Sequence, residues 1–262
     1  MKNIFTIAQS VWLELLRRKD LYVVLLLQGF LTVLLTTLDA FGTKAPATYI
    51  LDLGLLLSFL LSGILAVLLS ARQFPSEVRS GTIFTILTKP ISRAEFLLGK
   101  WLGCWLGIVL TNILSYFIVI TVVLYRGHLV NFVALFQLFL LHNAMLAVII
   151  SISLFFTQFV SQGAGSSLTF IVVFLSYYFV PQIPHLLVKE QTWRKPVMLA
   201  IYYLSPHFDL FDMRRRFIHG WGTLDSKILL GTLLYGFLLA ATFLLLAWLR
   251  LRKKQFKRGA WA

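Results

Sequence analysis

The sequence predicts an all-α membrane protein: six transmembrane helices, preceded by an amphipathic helix lying in the membrane interface. Three observations carry this. Of 262 residues, 59% are hydrophobic and 13% charged, against about 45–50% and about 25% in soluble domains. The apolar residues collect in runs long enough to cross the hydrocarbon as helices, which takes about 20 residues each. Finally, these runs do not alternate polar and apolar side chains, as the strands of a transmembrane barrel do.

Residues 1–20 form the first element. Ile4, Ala8, Val11, Trp12 and Leu15 recur at three- and four-residue spacing, with Asn3, Thr6, Gln9, Ser10, Glu14 and Arg17 largely on the other side. This is the pattern of an interfacial helix, and Arg17, Arg18 and Lys19 mark the membrane boundary. Twenty residues precede the first apolar run and no small-residue cleavage site follows it, so a cleaved signal is not expected. The spans are then Leu21–Leu38, Leu53–Ala71, Trp101–Leu124, Val133–Phe159, Ser166–Val180 and Ile228–Leu249, the fifth ended by Pro181 and Pro184. All belong to one transmembrane domain, residues 1–262, with a loop at 72–100 and a long segment at 182–227. In that segment Trp193–Leu204 and His207–Ile218 mix aromatic and basic residues. They are expected to be two short helices on the outer leaflet, broken at Pro206.

Charge sets the orientation. The formal charge is +14, from 24 Lys and Arg against 10 Asp and Glu. In a soluble chain that excess would suggest nucleic acid; beside long apolar runs it is the signature of loops facing anionic lipid, and no nucleic-acid partner is expected. With the N-terminus inside, residues 1–20 hold four Lys and Arg, residues 72–100 five, and the stretch after Leu249 six, whereas the short outer loops hold only Lys44 and Arg126. Both termini are therefore expected in the cytoplasm. The other seven lie in 182–227, and long segments obey the rule less well.

The loop from Arg72 to Lys100 is too patterned for a tether. Ile83, Phe84, Ile86 and Leu87 make a short apolar stripe flanked by Glu77, Arg79 and Lys89. The stripe stops before Pro90, which disfavours helix in the residue ahead of it. Ser92 and Glu95 form a Ser-x-x-Glu capping box, so a helix is expected to start at Ser92 and run into the third span. An amphipathic helix of this kind docks into a groove on a soluble partner or rests on lipid headgroups; its pattern suits both.

This loop resembles that of permeases of the ABC-2 exporter type of ABC transporters. Glu77, Gly81, Thr82, Leu87, Pro90, Ile91, Ser92, Arg93, Gly99 and Lys100 match a Glu-x-x-x-Gly-Thr, Leu-x-x-x-Pro-Ile-Ser-Arg and Gly-Lys pattern after the second span. The stretch from Leu204 to Asp212 is similar to that family's segment before the last span, and the six spans and N-terminal helix agree over the whole chain. The resemblance implies that residues around Glu77–Leu87, including Ile83 and Phe84, are a coupling helix seated in a cleft of a cytoplasmic ABC ATPase. Arg79, Lys89 and Arg93 would pair with acidic residues there. It further implies a second permease copy or homologue as partner, ATP and Mg bound by the ATPase rather than by this chain, and the inner membrane of a bacterium.

The remaining chemistry is sparse. Gly99-Lys100 lacks the upstream glycine and the following Ser or Thr of a phosphate loop. The five histidines form no close metal pair, and no cofactor is expected on the chain itself. Lone Cys104 excludes an internal disulfide framework. His142 and Asn143 sit at depth in the fourth span, as does Gln28 in the first, with Asn112 and Gln158 as further buried polar candidates. Such groups are either a functional polar site or hydrogen bonds between helices. With His142 as base, Ser166 or Ser167 would make an intramembrane enzyme; a tight turn at Gly163–Ser167 is the simpler reading. A membrane anchor for a soluble partner is the other alternative. Two stripes of small residues recur every four positions: Gly54, Ser58, Ser62, Ala66 and Ser70 in the second span, and Gly99, Gly103 and Gly107 entering the third. They predict close helix packing within the protomer or along a conduit.

Overall fold

The computed structural model describes residues 2–37, 47–79, 81, 91–189 and 194–253. Among them the chain is helical throughout, without strands: α1 (Lys2–Arg17), α2 (Asp20–Thr37), α3 (Ala47–Ala71), α4 (Gln73–Arg79), α5 (Arg93–Tyr125), α6 (Phe132–Phe156), α7 (Gln162–Tyr178), α8 (Ile183–Lys189), α9 (Arg194–Leu204), α10 (Arg214–Ile218) and α11 (Ser226–Lys253). Short 3₁₀ turns occupy Val180–Gln182 and Phe208–Phe211. Among the described residues six helical stretches are long and apolar enough to cross a membrane: α2, α3 running on into α4, α5, α6, α7 continued through the following turn into α8 (Gln162–Leu186), and α11. They are the six spans expected from sequence, with ends shifted by a few residues.

Local chemistry sets the ends. The Ser92 hydroxyl accepts from the Glu95 amide and the Glu95 carboxylate accepts from the Ser92 amide, a complete capping box at the start of α5. That helix stops at Tyr125 because Gly127 adopts a φ of 77°, which lets the Gly127 and His128 amides turn back to the carbonyls of Leu124 and Val123. The Asn131 side chain then accepts from the amides of Val133 and Ala134 and opens α6. Pro181 lies in the turn after α7, where a continuing helix would need its missing amide hydrogen.

Helix α6 is the centre of the bundle. Leu138, Leu141, His142, Leu146, Val148 and Ile150 are all fully buried on it, so it is covered on every side by α3, α5, α7 and α11. Helices α2, α7 and α11 are peripheral and turn large side chains outward, among them Leu26, Phe30, Phe174, Leu234 and Phe237. This is the expected surface of a chain whose solvent is hydrocarbon.

The most extensive helix pair is α1 against α5. Ile7 lies over Gly99, Val11 over Gly103 and Leu15 over Gly107, so the two helices run in parallel register for over two turns. Of the apolar stripe that sequence reads as an interfacial helix, Ala8, Val11 and Leu15 are buried against α5, with Ile7 beside them, while Ile4 and Trp12 are half-buried.

The segment 182–227 also differs from expectation. Helix α9 matches the first expected helix, but His207–Ile218 is a 3₁₀ turn followed by the short α10, with Asp212 and Met213 between them. It does not lie on a leaflet as one helix. Phe208 and Phe211 are fully buried, and Met213 and Phe217 nearly so. Four large apolar side chains on one short stretch outweigh the neighbouring arginines, and the segment folds back onto α3, α6 and α7.

Candidate functional site

Two groups of polar residues stand out, one at the end of the bundle that carries α1 and α4, the other inside it.

At the first, α4 follows α3 after Arg72 and ends at Arg79, and Gly81, at a φ of 73°, donates its amide to Val78 O. Thr82, Ile83, Phe84, Leu87 and Pro90, together with Lys89, lie outside the described residues. What is described is how the loop's two ends are held. Lys100 Nζ lies 2.5 Å from Glu77 Oε1, with the two side chains only 3% and 14% exposed. The Phe74 ring meets the Phe96 ring edge-on at 5.7 Å. Arg72 pairs with Asp20 at 2.6 Å, and the Asn3 amide donates to the Glu95 carboxylate at 3.5 Å. Arg93 Nη1 donates to the carbonyls of Leu251 and Arg252 at 2.5 and 2.8 Å. Helices α1, α4 and α11 are thus tied to the first turns of α5, and the start of α2 to the junction between α3 and α4. Glu77 and Arg93, expected to face a partner, make contacts within the chain.

At the second, the small residues of α3 meet three helices. Gln28 Nε2 donates to Gly54 O and Ser58 Oγ, both at 3.1 Å, and Val119 packs on Gly54. His142 Nδ1 faces two donors, Asn112 Nδ2 and the Tyr116 hydroxyl, each at 3.1 Å. His142 Nε2 lies 3.0 Å from Ser62 Oγ and, with Asn112 Nδ2 donating to Nδ1, would be the ring nitrogen that carries the proton. Ser62 passes its own hydrogen to Phe59 O at 3.3 Å. Asn143 joins the cluster, accepting from Asn112 Nδ2 at 3.4 Å and donating to Phe139 O at 2.7 Å. The cluster stitches α3, α5 and α6 together. Ser166 donates instead to Gly163 O in the first turn of α7, and Ser167 is exposed there. Neither is a partner of His142, whose ring nitrogens are both engaged elsewhere.

The Phe59 ring stacks on His142 at a centroid distance of 4.7 Å and carries the Arg214 guanidinium at 4.4 Å. Arg214 is paired with Asp212 at 2.8 Å, and the Tyr177 hydroxyl hydrogen-bonds both residues. Burial raises the Asp212 carboxyl, but the Arg214 guanidinium outweighs it and holds the group below the usual carboxylate range. Burial likewise opposes the charge on Arg214, and Asp212 more than restores it. Beside this pair lies a cavity of about 170 Å³, lined by Phe59, Gly63, Met145, Tyr177, Phe208 and Arg214 among others. No group of three or more metal-ligating side chains exists among the described residues.

Sequence reasoning singled out Ser62, Asn112 and His142 one at a time. It missed Phe59, Tyr116, Tyr177, Asp212 and Arg214. Their one signal was an Asp two residues before an Arg in an otherwise aromatic stretch, a pattern with little specificity. Replacing His142 by Ala is expected to cost about 1–2 kcal/mol of stability, two or three interhelical bonds in a membrane, with function reduced in proportion. Complete loss of function at unchanged melting temperature would instead assign the ring a chemical step.

The chain matches the family model described as ABC-2 family transporter protein over residues 12–254. It is also 31% identical over 122 residues to the "Probable ABC transporter permease protein NosY" of Pseudomonas aeruginosa. That stretch covers 44% of this chain and 44% of the relative, less than half of either. With the family matched over nearly its whole length, and six helices suited to crossing a membrane, the chain belongs to the ABC-2 family of transporter proteins.

Proposed function

We propose that the chain is the permease subunit of an ATP-driven exporter, working with a separate cytoplasmic ATPase that binds ATP and Mg. The observation that carries this is the family match over residues 12–254, and the framework around α5 fits it. A push on the 82–90 loop would reach α4 and α5 through the Glu77–Lys100 pair and pass to α1 along the glycine seam. The same displacement would reach the end of α11 through Arg93. Thr82, Ile83, Phe84 and Leu87 would supply the contact with the ATPase, and Arg79 would tune the choice of partner. Gly81 and Pro90 would bound that helix. The outward apolar faces of α2 and α7 suit a second copy of the chain as well as lipid. The excess of Lys and Arg in residues 1–20, 72–100 and after Leu249 supports cytoplasmic termini, and the likeness to a bacterial permease supports a bacterial inner membrane.

The test is co-purification in mild detergent of the tagged chain beside Phe84→Ala. Phe84 is a cleaner probe than Glu77, whose loss also strands buried Lys100. An ATPase is expected with the unaltered chain and much less with the variant. Recovery of well-folded chain without an ATPase would overturn the reading.

A further inference from the structure

We propose that the groove between the first turns of α5 and the last half of α11 is a binding site for one anionic phospholipid. Its walls are Ala94, Leu97, Leu98 and Trp101 on one side and Phe237 to Trp248 on the other, enclosing about 420 Å³. Along α11 that stretch runs about 16 Å, from mid-membrane to the basic end of the bundle. Alanines 94, 240 and 241 form its low floor. Trp101 and Trp248 stand at the end where amphipathic rings sit at headgroup level.

The polar mouth decides the occupant. The Arg252 guanidinium lies over Trp248 at 5.8 Å, Lys253 follows it on the exposed end of α11, and Arg93 lies beside Ala94 with its guanidinium on the last carbonyls of α11. No acidic residue lines the groove. A second copy packed on the same face would bring these cations against each other, as a two-fold contact must. A peptide would carry backbone amides into hydrocarbon with nothing to pair them. An acyl chain carries no such groups, and its phosphodiester meets a guanidinium in the geometry that Arg favours. The bond from Arg93 to the end of α11 keeps the two walls at fixed separation, so the groove is formed before the lipid enters.

The experiment is native mass spectrometry of the full chain after delipidation. Phosphatidylglycerol and phosphatidylethanolamine of identical acyl chains are added at equal concentration. One phosphatidylglycerol is expected to be retained in preference. Arg252→Gln should lower that preference about fivefold and leave phosphatidylethanolamine unchanged. Ala241→Trp, at an exposed position in the groove floor, should remove both adducts without shifting thermal unfolding. Arg215→Gln, in the 182–227 segment, should change nothing. A phosphatidylglycerol adduct that survives Ala241→Trp, or equal retention of the two lipids that Arg252→Gln does not alter, would overturn the assignment.

Discussion

Gly103→Leu is expected to yield no folded protein from the membrane fraction. A Cβ at Gly103 would lie 2.7 Å from Val11 Cβ, 2.9 Å from Ala8 O and 3.0 Å from Ala8 Cα. Two of those atoms are backbone and cannot rotate away, so α1 must leave α5. Even Gly103→Ala is expected to lose about 1–3 kcal/mol by overpacking, although helix propensity alone would favour alanine by nearly 1 kcal/mol. Gly107 provides the contrast. There a Cβ meets only Leu15 Cδ1, at 2.3 Å, the far end of a side chain that can move. Gly107→Ala is therefore expected to be milder, and Leu15→Val should restore it. Melting temperatures in detergent for Gly103→Ala, Gly107→Ala and the Gly107→Ala, Leu15→Val pair test this; equal loss at the two glycines would mean that α1 does not sit where the register places it.

Glu77→Ala is expected to be nearly as damaging. It leaves Lys100, 3% exposed, without the carboxylate 2.5 Å away, and breaking one side of a buried pair costs about 3–5 kcal/mol. Removing both charges is expected to differ. Glu77→Leu with Lys100→Met keeps the volume and strands nothing, so stability should return to within about 1 kcal/mol of the starting chain. The cycle separates holding α4 in place from recognising a partner. If the double variant is stable but captures no ATPase, the charges themselves are read; if capture returns with stability, the pair only positions the loop. Single variants as stable as the parent would show that the pair is not buried in the membrane-bound chain.

Much of this fold was legible because hydrocarbon imposes a coarse rule. A run such as Val133–Phe159 has one way to satisfy its backbone in a membrane, and the helix there is α6. The start of α5 was legible from two side chains three residues apart, since Ser92 and Glu95 cap each other's backbone amides. What lay hidden depends on partners distant in sequence. The faces of Gly99, Gly103 and Gly107 could be read, but not that α1 rather than another span covers them. His142 could be read as a polar group at depth, but the pairing with Ser62 joins residues 80 positions apart. The arginines of α10 argued for a surface, and the burial of Arg214 follows only once Asp212 and Tyr177 are seen to neutralise and hold it.

The length of α5 has a mechanical consequence. Its 33 residues make a rod of about 50 Å, well beyond the roughly 30 Å of hydrocarbon. The surplus stands on the side where α1, α4 and α11 are fastened. A rod bonded to α6 near its middle, through Asn112 and Tyr116 on His142, would act as a lever. Pivoting about its midpoint, a tilt of about ten degrees would carry each tip roughly 4 Å. On the proposed coupling, a displacement the size of one side chain at the loop would become an equal and opposite swing at the far rim of the bundle, with no need for any helix to bend.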